Sequence, residues 1–239
     1  MARISKNGIL SGALGNLVFV NSESQSYVRT KPSGLQQTPK TKAAAKAFGF
    51  ASAQDKLFRL ALTRQLPLIT DSRYASRHRA RMNKALMVHS QQNHQDAEHN
   101  LGLPESLTGF DFNAHCPWEK ITRFYPEFRL SDTRELECRF PALKAGREIV
   151  LPQDARSAEL RLDAFTVNPL SRTINLNLIS SHTADLSIFQ ATLPTVWKFG
   201  IPDDSAWLVV TGTLIFKSAT PLHTAAVHGS STYLFAKSV

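Results

Sequence analysis

The hydrophobic positions change period along the chain. Near the start, Asn16-Leu17-Val18-Phe19-Val20 and Gln25-Ser26-Tyr27-Val28-Arg29 read as two short strands, with Asn21-Ser22-Glu23-Ser24 supplying turn chemistry between them. The pair predicts a hairpin in a segment punctuated by Gly8, Gly12 and Gly15. An isolated hairpin is marginal in water, so this one needs a surface to pack on: the rest of the chain or a neighbouring subunit. Pro32, Gly34 and Pro39 then break the chain. From Thr41 to Leu62 the composition favours helix, and Thr38 or Thr41 offers a capping hydroxyl. Phe50, Leu57, Leu60 and Ala61 fall near helical spacing there. A second helix is predicted over Asp71–Ser90, with Tyr74, Met82, Ala85 and Leu86 on one face. Residues 90–118 are polar and His-rich, and read as a loop or crossover with little regular structure; a connection this long is expected to carry a helical turn or to lie on a partner.

From Lys120 onward the period is two. Glu159-Leu160-Arg161-Leu162-Asp163-Ala164 and Thr173-Ile174-Asn175-Leu176-Asn177-Leu178 both alternate, and Asn168-Pro169-Leu170-Ser171 forms a turn between them. Further strands are expected at Thr122–Leu130, Glu135–Phe140, Glu148–Leu151, Leu186–Thr192, Ala206–Phe216 and Thr232–Ala236. About eight short strands separated by turns point to an antiparallel β-sandwich. The expected class is therefore α+β: a hairpin arm over residues 1–34, a basic helical region with a His-rich connection over 35–118, and a β-sandwich over 119–239.

Charge divides the chain in the same place. Residues 1–90 carry fifteen Lys/Arg against three acidic residues, a balance of +12; the remainder carries thirteen against sixteen, −3. Such asymmetry suggests an acidic partner for the front: nucleic acid, an anionic surface or another protein. Arg73, Arg77, Arg81 and Lys84 recur along one helical face, with Arg79 beside them and Arg59 and Arg64 upstream. This ridge fits phosphate contact, ion pairs to a β domain of the same or a neighbouring chain, or plain solvation. No helix-turn-helix, zinc-finger or RNA-binding aromatic signature accompanies it.

Other candidate chemistry is thin. Cys116 and Cys138 lack any C-x-x-C spacing and read as buried thiols. His78, His89, His94, His99 and His115 lack a ligand spacing and are expected to be exposed loop histidines. Gly8, Gly12 and Gly15 match no phosphate-cradle pattern, and no G-x-S-x-G elbow is present. Asp203-Asp204 follows Pro202 and reads as a turn; Trp197, Phe199, Trp207, Phe216, Tyr233 and Phe235 read as core. The first residues lack an apolar signal core, and no apolar run is long enough for a membrane span.

The front of the chain resembles an uncharacterised family of small Bacteroidetes proteins known only as a domain of unknown function. The residues that carry the resemblance are Lys6-Asn7-Gly8-Ile9, Gly12, Gly15-Asn16 and Val18, then Tyr27-Val28-Arg29 and Pro32, with Thr38 and Phe48 beyond. Thr41, Ala44 and Ala45 stand where that family tends to have Gln or Arg. The resemblance implies a helical region followed by an immunoglobulin-like β domain, in a cytosolic or virus-like context. It brings no activity, substrate or cofactor.

The leading expectation is a non-enzymatic structural or assembly protein, a subunit of a larger particle or filament. It would be cytoplasmic or particle-associated, without signal peptide, cofactor, metal or small-molecule substrate. Its contacts to other subunits would run through the arm (Gly8, Gly12, Gly15, Asn16, Tyr27, Arg29, Pro32) and the basic positions Arg59, Arg64, Arg73, Arg77, Arg81 and Lys84. The alternative is a nucleic-acid-binding protein that grips phosphates through residues 1–90.

Overall fold

A computed structural model describes residues 2–5, 8–21, 25–31, 37–91, 102–153, 155–203, 206–218 and 229–239, with backbone only for 87–91 and 218. Its strands form three antiparallel sheets. The contacts divide the chain into two compact units, Met1–Ala45 and Lys46–Val239.

In the first unit β1 (Arg3–Ile4), β2 (Leu10–Leu14), β3 (Leu17–Asn21) and β4 (Ser26–Thr30) pair in chain order. The expected hairpin is present as β3–β4, with Val18 opposite Arg29 and Phe19 opposite Val28. It is extended on the other side by β2, through a two-residue loop whose first position is Gly15 at φ +57°. A left-handed backbone at that position favours glycine.

Helix α1 (Pro39–Gln65) starts where Thr38 Oγ1 accepts the Thr41 amide at 3.2 Å, with Pro39 at the first helical position. Its buried face is Ala51, Gln54, Asp55, Phe58, Ala61 and Leu62. This corrects the face read from the sequence: Phe50 and Leu60 are exposed, and two polar residues lie inside instead. Helix α2 (Tyr74–Gln91) begins later than expected. Asp71 is the reason: its carbonyl accepts the Tyr74 amide and its carboxylate accepts the Arg73 amide, holding 71–73 as a turn. Met82, Ala85 and Leu86 are buried as expected, and His78 joins them.

The second unit's larger sheet has the order β11-β10-β7-β8, from β7 (Ala155–Val167), β8 (Asn177–Ser187), β10 (Trp207–Ser218) and β11 (Gly229–Ser238). Its smaller sheet is β5-β6-β9, from β5 (Glu127–Leu130), β6 (Glu135–Phe140) and β9 (Thr195–Gly200). Alternation assigns the two faces of β7 and β10 to different cores. Leu160, Leu162, Leu208 and Val210 pack with Leu136, Cys138, Phe140 and Trp197 of the smaller sheet. Phe165, Val167, Trp207 and Val209 pack with Phe58, Leu62, Met82 and Leu86 of the helices.

Several strand expectations need correction. Thr122–Leu130 opens after a short helix α3 (Trp118–Ile121) and becomes strand only at β5. Glu148–Leu151 is no strand, only bridges from Ile149 to Thr122 and Ala145. The hairpin partner of β7 begins at Asn177, and Ile174 and Leu176 instead pack into the helix-side core from outside any strand. Leu186–Thr192 is mostly beyond the end of β8. Residues 102–118 carry the helical turn that such a long connection allowed, a 3₁₀ turn at Pro104–Leu107, but Leu107, Phe110 and Phe112 are core rather than loop surface. Residues 92–101 of that connection lie outside the described residues.

Candidate functional site

The polar residues on the buried faces of α1 and α2 meet a third element. His78 Nδ1 lies 2.6 Å from Asp55 Oδ1, and His78 Nε2 lies 2.8 Å from the Tyr233 hydroxyl. All three side chains are buried. Burial pushes the His78 pKa below its ordinary value against the pull of Asp55, and raises the Tyr233 phenol well above its own. The neutral ring therefore donates from Nδ1–H to Asp55 and accepts the tyrosine O–H at Nε2. Asp55 Oδ2 also accepts Arg59 Nε at 2.8 Å, and Arg79 Nε stands 3.9 Å away.

A register shift in the sheet places Tyr233. Between β10 and β11 the pairing jumps from Val210↔Phe235 to Thr211↔Tyr233. The extra residue, Leu234, puts Tyr233 and Ala236 on the helix side together, while Leu234 and Phe235 face the other core. Phe58, Phe110, Phe112 and Tyr233 surround the His78 ring with centroids 5.3–5.9 Å away. This relay resembles acid–base machinery in composition; its three side chains are buried, and its hydrogen bonds tie α1, α2 and β11 together. Among the exposed loop histidines expected from the sequence, His78 is thus a correction: it is a buried helix residue. Its signal was spacing, since His78, Met82 and Ala85 fall at i, i+4 and i+7. His89, His94 and His99 fall on residues whose side chains are not described.

The expected basic ridge separates into different environments. Arg59 is spent on Asp55 and lies over the Tyr74 ring. Arg64 is exposed in the last turn of α1, where a cation complements the helix dipole. Arg73 immediately precedes α2 and is not in the lining of the cleft that Arg77, Arg81 and Lys84 share. Arg77 donates to Asp71 at 2.9 Å and to the carbonyls of Asp111 and Phe112 at 3.1 and 3.3 Å. That bond holds the Asp71 carboxyl well below the usual carboxylate range.

Arg77, Ala80, Arg81 and Lys84 form one wall of an open cleft of about 600 Å³. Gly109, Asp111 and neighbouring residues form the other. Arg81 donates to the Ser106 carbonyl at 3.3 Å, and among the described residues no carboxylate pairs with Arg81 or Lys84. Asp111 is the acidic group in the lining; its carboxylate accepts the Trp118 amide at 3.0 Å, and burial raises its pKa. The structure thus brings Arg77, Arg81 and Lys84 together and leaves Arg59, Arg64 and Arg73 elsewhere.

Of the arm positions, Gly8, Gly12 and Gly15 have positive φ. The Asn16 carbonyl accepts the Lys31 amide at 2.7 Å. Tyr27 is paired with Val20 and Arg29 with Val18. Pro32 lies outside the described residues. The register puts Ile4, Leu10, Leu14, Leu17, Phe19 and Val28 on one face of the four-stranded sheet. The opposite face carries Arg3, Ser11, Ala13, Val18, Val20, Tyr27 and Arg29. No described residue before Ala51 is buried: Ile4 is 71% exposed, Leu14 60% and Val28 52%.

Among the described residues no group of three or more His, Cys, Asp or Glu side chains is arranged to hold a metal ion, and no helix is long and apolar enough to cross a membrane. The chain matches no protein-family model, no curated protein and no solved structure.

Proposed function

We propose that this protein is a non-enzymatic assembly subunit whose N-terminal sheet docks on another protein subunit, as in a particle or filament. In class terms the reading is α+β: a β arm and two helices leading into an immunoglobulin-like sandwich. One observation carries it: six apolar side chains line one face of the arm sheet, yet none of them is buried. Folded monomers seldom leave such a contiguous apolar face in water, and a face rimmed by polar groups marks an interaction surface. The arm's basic residues, Arg3, Arg29 and Lys31, would then meet the more acidic surface of a neighbour, giving charge complementarity.

The test is the oligomeric state of the full chain against Leu14→Ser/Val28→Ser and against a chain lacking residues 1–34. Light scattering after size exclusion should show a concentration-dependent oligomer for the full chain and a monomer for both variants. A full chain that stays monomeric at high concentration and low salt, with unchanged behaviour on deletion, would remove the reading.

A further inference from the structure

The cleft between α2 and the facing 109–117 segment has features that assembly through the arm does not use. Two of its cations, Arg81 and Lys84, lie one helical turn apart and face a shared opening. Arg77, by contrast, is neutralised by Asp71 and pinned to two carbonyls, with its guanidinium 5.8 Å from the Phe110 ring centroid. It therefore serves as a rigid wall, while Arg81 and Lys84 supply charge that no carboxylate pairs with among the described residues. Neighbouring cations on one helix face repel, and an anion seated between them would offset that repulsion.

A second hollow, of about 170 Å³, shares Gly109 and Asp111 with the first. Tyr125 lines it and is 77% exposed, which leaves its ring open to a stacking partner. Trp118 and Phe128 line it too. A track of cations leading to an exposed aromatic ring is the combination that holds a nucleic-acid strand: phosphates on the cations, an unstacked base on the ring. A compact anion such as free phosphate would use only the cations. A duplex would keep its bases stacked and away from Tyr125.

We infer that this cleft binds a single nucleic-acid strand, with Arg81 and Lys84 on successive phosphates and a base stacked on Tyr125. Asp111, shared by the two hollows, and Glu119, which lines the second, disfavour a phosphate there and leave that stretch to sugar and base. The inference does not rest on the assembly reading.

The experiment is fluorescence anisotropy of a labelled oligothymidylate with the full-length protein, at about 50 and 200 mM salt. Binding should weaken about tenfold across that range. Arg81→Gln/Lys84→Gln should weaken it at least tenfold at the lower salt and lower the slope of log K against log salt by about 1.4, roughly 0.7 per lost phosphate contact. Tyr125→Ala should weaken it at least fivefold with the slope unchanged. Lys84→Gln alone, which breaks no contact in the fold, should cost about threefold; circular dichroism confirms that each variant is folded. The control Arg129→Gln/Arg147→Gln removes the same charge from two exposed sites and should change affinity less than twofold. The inference is overturned by no binding at the lower salt or by equal losses in the control. It is also overturned by tighter binding of a duplex, or by displacement at equal concentration with tripolyphosphate while Tyr125→Ala binds normally.

Discussion

The Tyr233 hydroxyl donates to His78 Nε2 at 2.8 Å across 155 residues of chain, and the other ring nitrogen donates to Asp55. One imidazole thus joins a strand at the end of the sequence to both helices near its start. Neither bond has access to water, so each group in the relay depends on the others for its hydrogen bonds.

Tyr233→Phe keeps the ring and removes the donor, leaving His78 Nε2 buried without a partner. The expected loss of stability is about 1–3 kcal/mol in urea unfolding. Asp55→Ala strips partners from both His78 and Arg59, and the expected loss is larger, about 3–5 kcal/mol. Equal stability of Tyr233→Phe and wild type would show that the relay contributes nothing.

Stability should depend on pH through His78. Its folded pKa lies below the unfolded value, so the unfolded chain binds more protons in between, and stability rises with pH there. The contribution is complete above about pH 6.5 and is lost as pH falls through the folded pKa. Burial also lowers His182, which stacks on Phe140. His78→Gln should remove most of the slope and His182→Gln only a part, as read by urea unfolding at a series of pH values. Below about pH 4, protonation of Asp71 should add a further loss, because Arg77 holds it charged in the fold.

Two glycines should respond oppositely to alanine. Gly49 lies inside α1 with nothing within 4 Å of an added Cβ, so Gly49→Ala should stabilise by about 0.5–1 kcal/mol. At Gly229 an added Cβ would run into the Leu214 carbonyl and the Ile69 side chain. Gly229→Ala should cost about 1–3 kcal/mol or more, because backbone cannot yield as a flexible side chain does. Thermal unfolding of the two variants beside wild type checks both signs.

The cysteines should differ in reactivity. Both are free; Cys138 is buried, which pushes its thiol up to about 12, while Cys116 is partly exposed. Iodoacetamide at neutral pH should label Cys116 slowly, since burial and Asp111 raise its pKa too, and leave Cys138 untouched until the protein unfolds. Rapid labelling of Cys138 in the folded state would contradict its place in the core.

Local pattern decided much of this protein. Alternation placed Glu135–Phe140 as a strand with the structure's own bounds, and of the two hydroxyls that could cap α1, Thr38 does so, with Pro39 inside the helix rather than breaking the chain before it. The two basic positions of the proposed cleft, Arg81 and Lys84, were readable from helical spacing alone, because neighbours on one helix face are fixed by the turn.

Tertiary structure decided the rest. Asp55 and Gln54 look like surface residues in sequence, and only the arrival of His78 and the Ser171 carbonyl makes their burial affordable. Arg77 looks like its neighbours Arg81 and Lys84, yet Asp71 and two carbonyls from a distant segment take up its charge. Tyr233 faces the helices only because the pairing of β10 and β11 slips by one residue at Leu234. A side chain's face within an element is set by local geometry, but its partner is set by which other segment reaches it, and no local period encodes that.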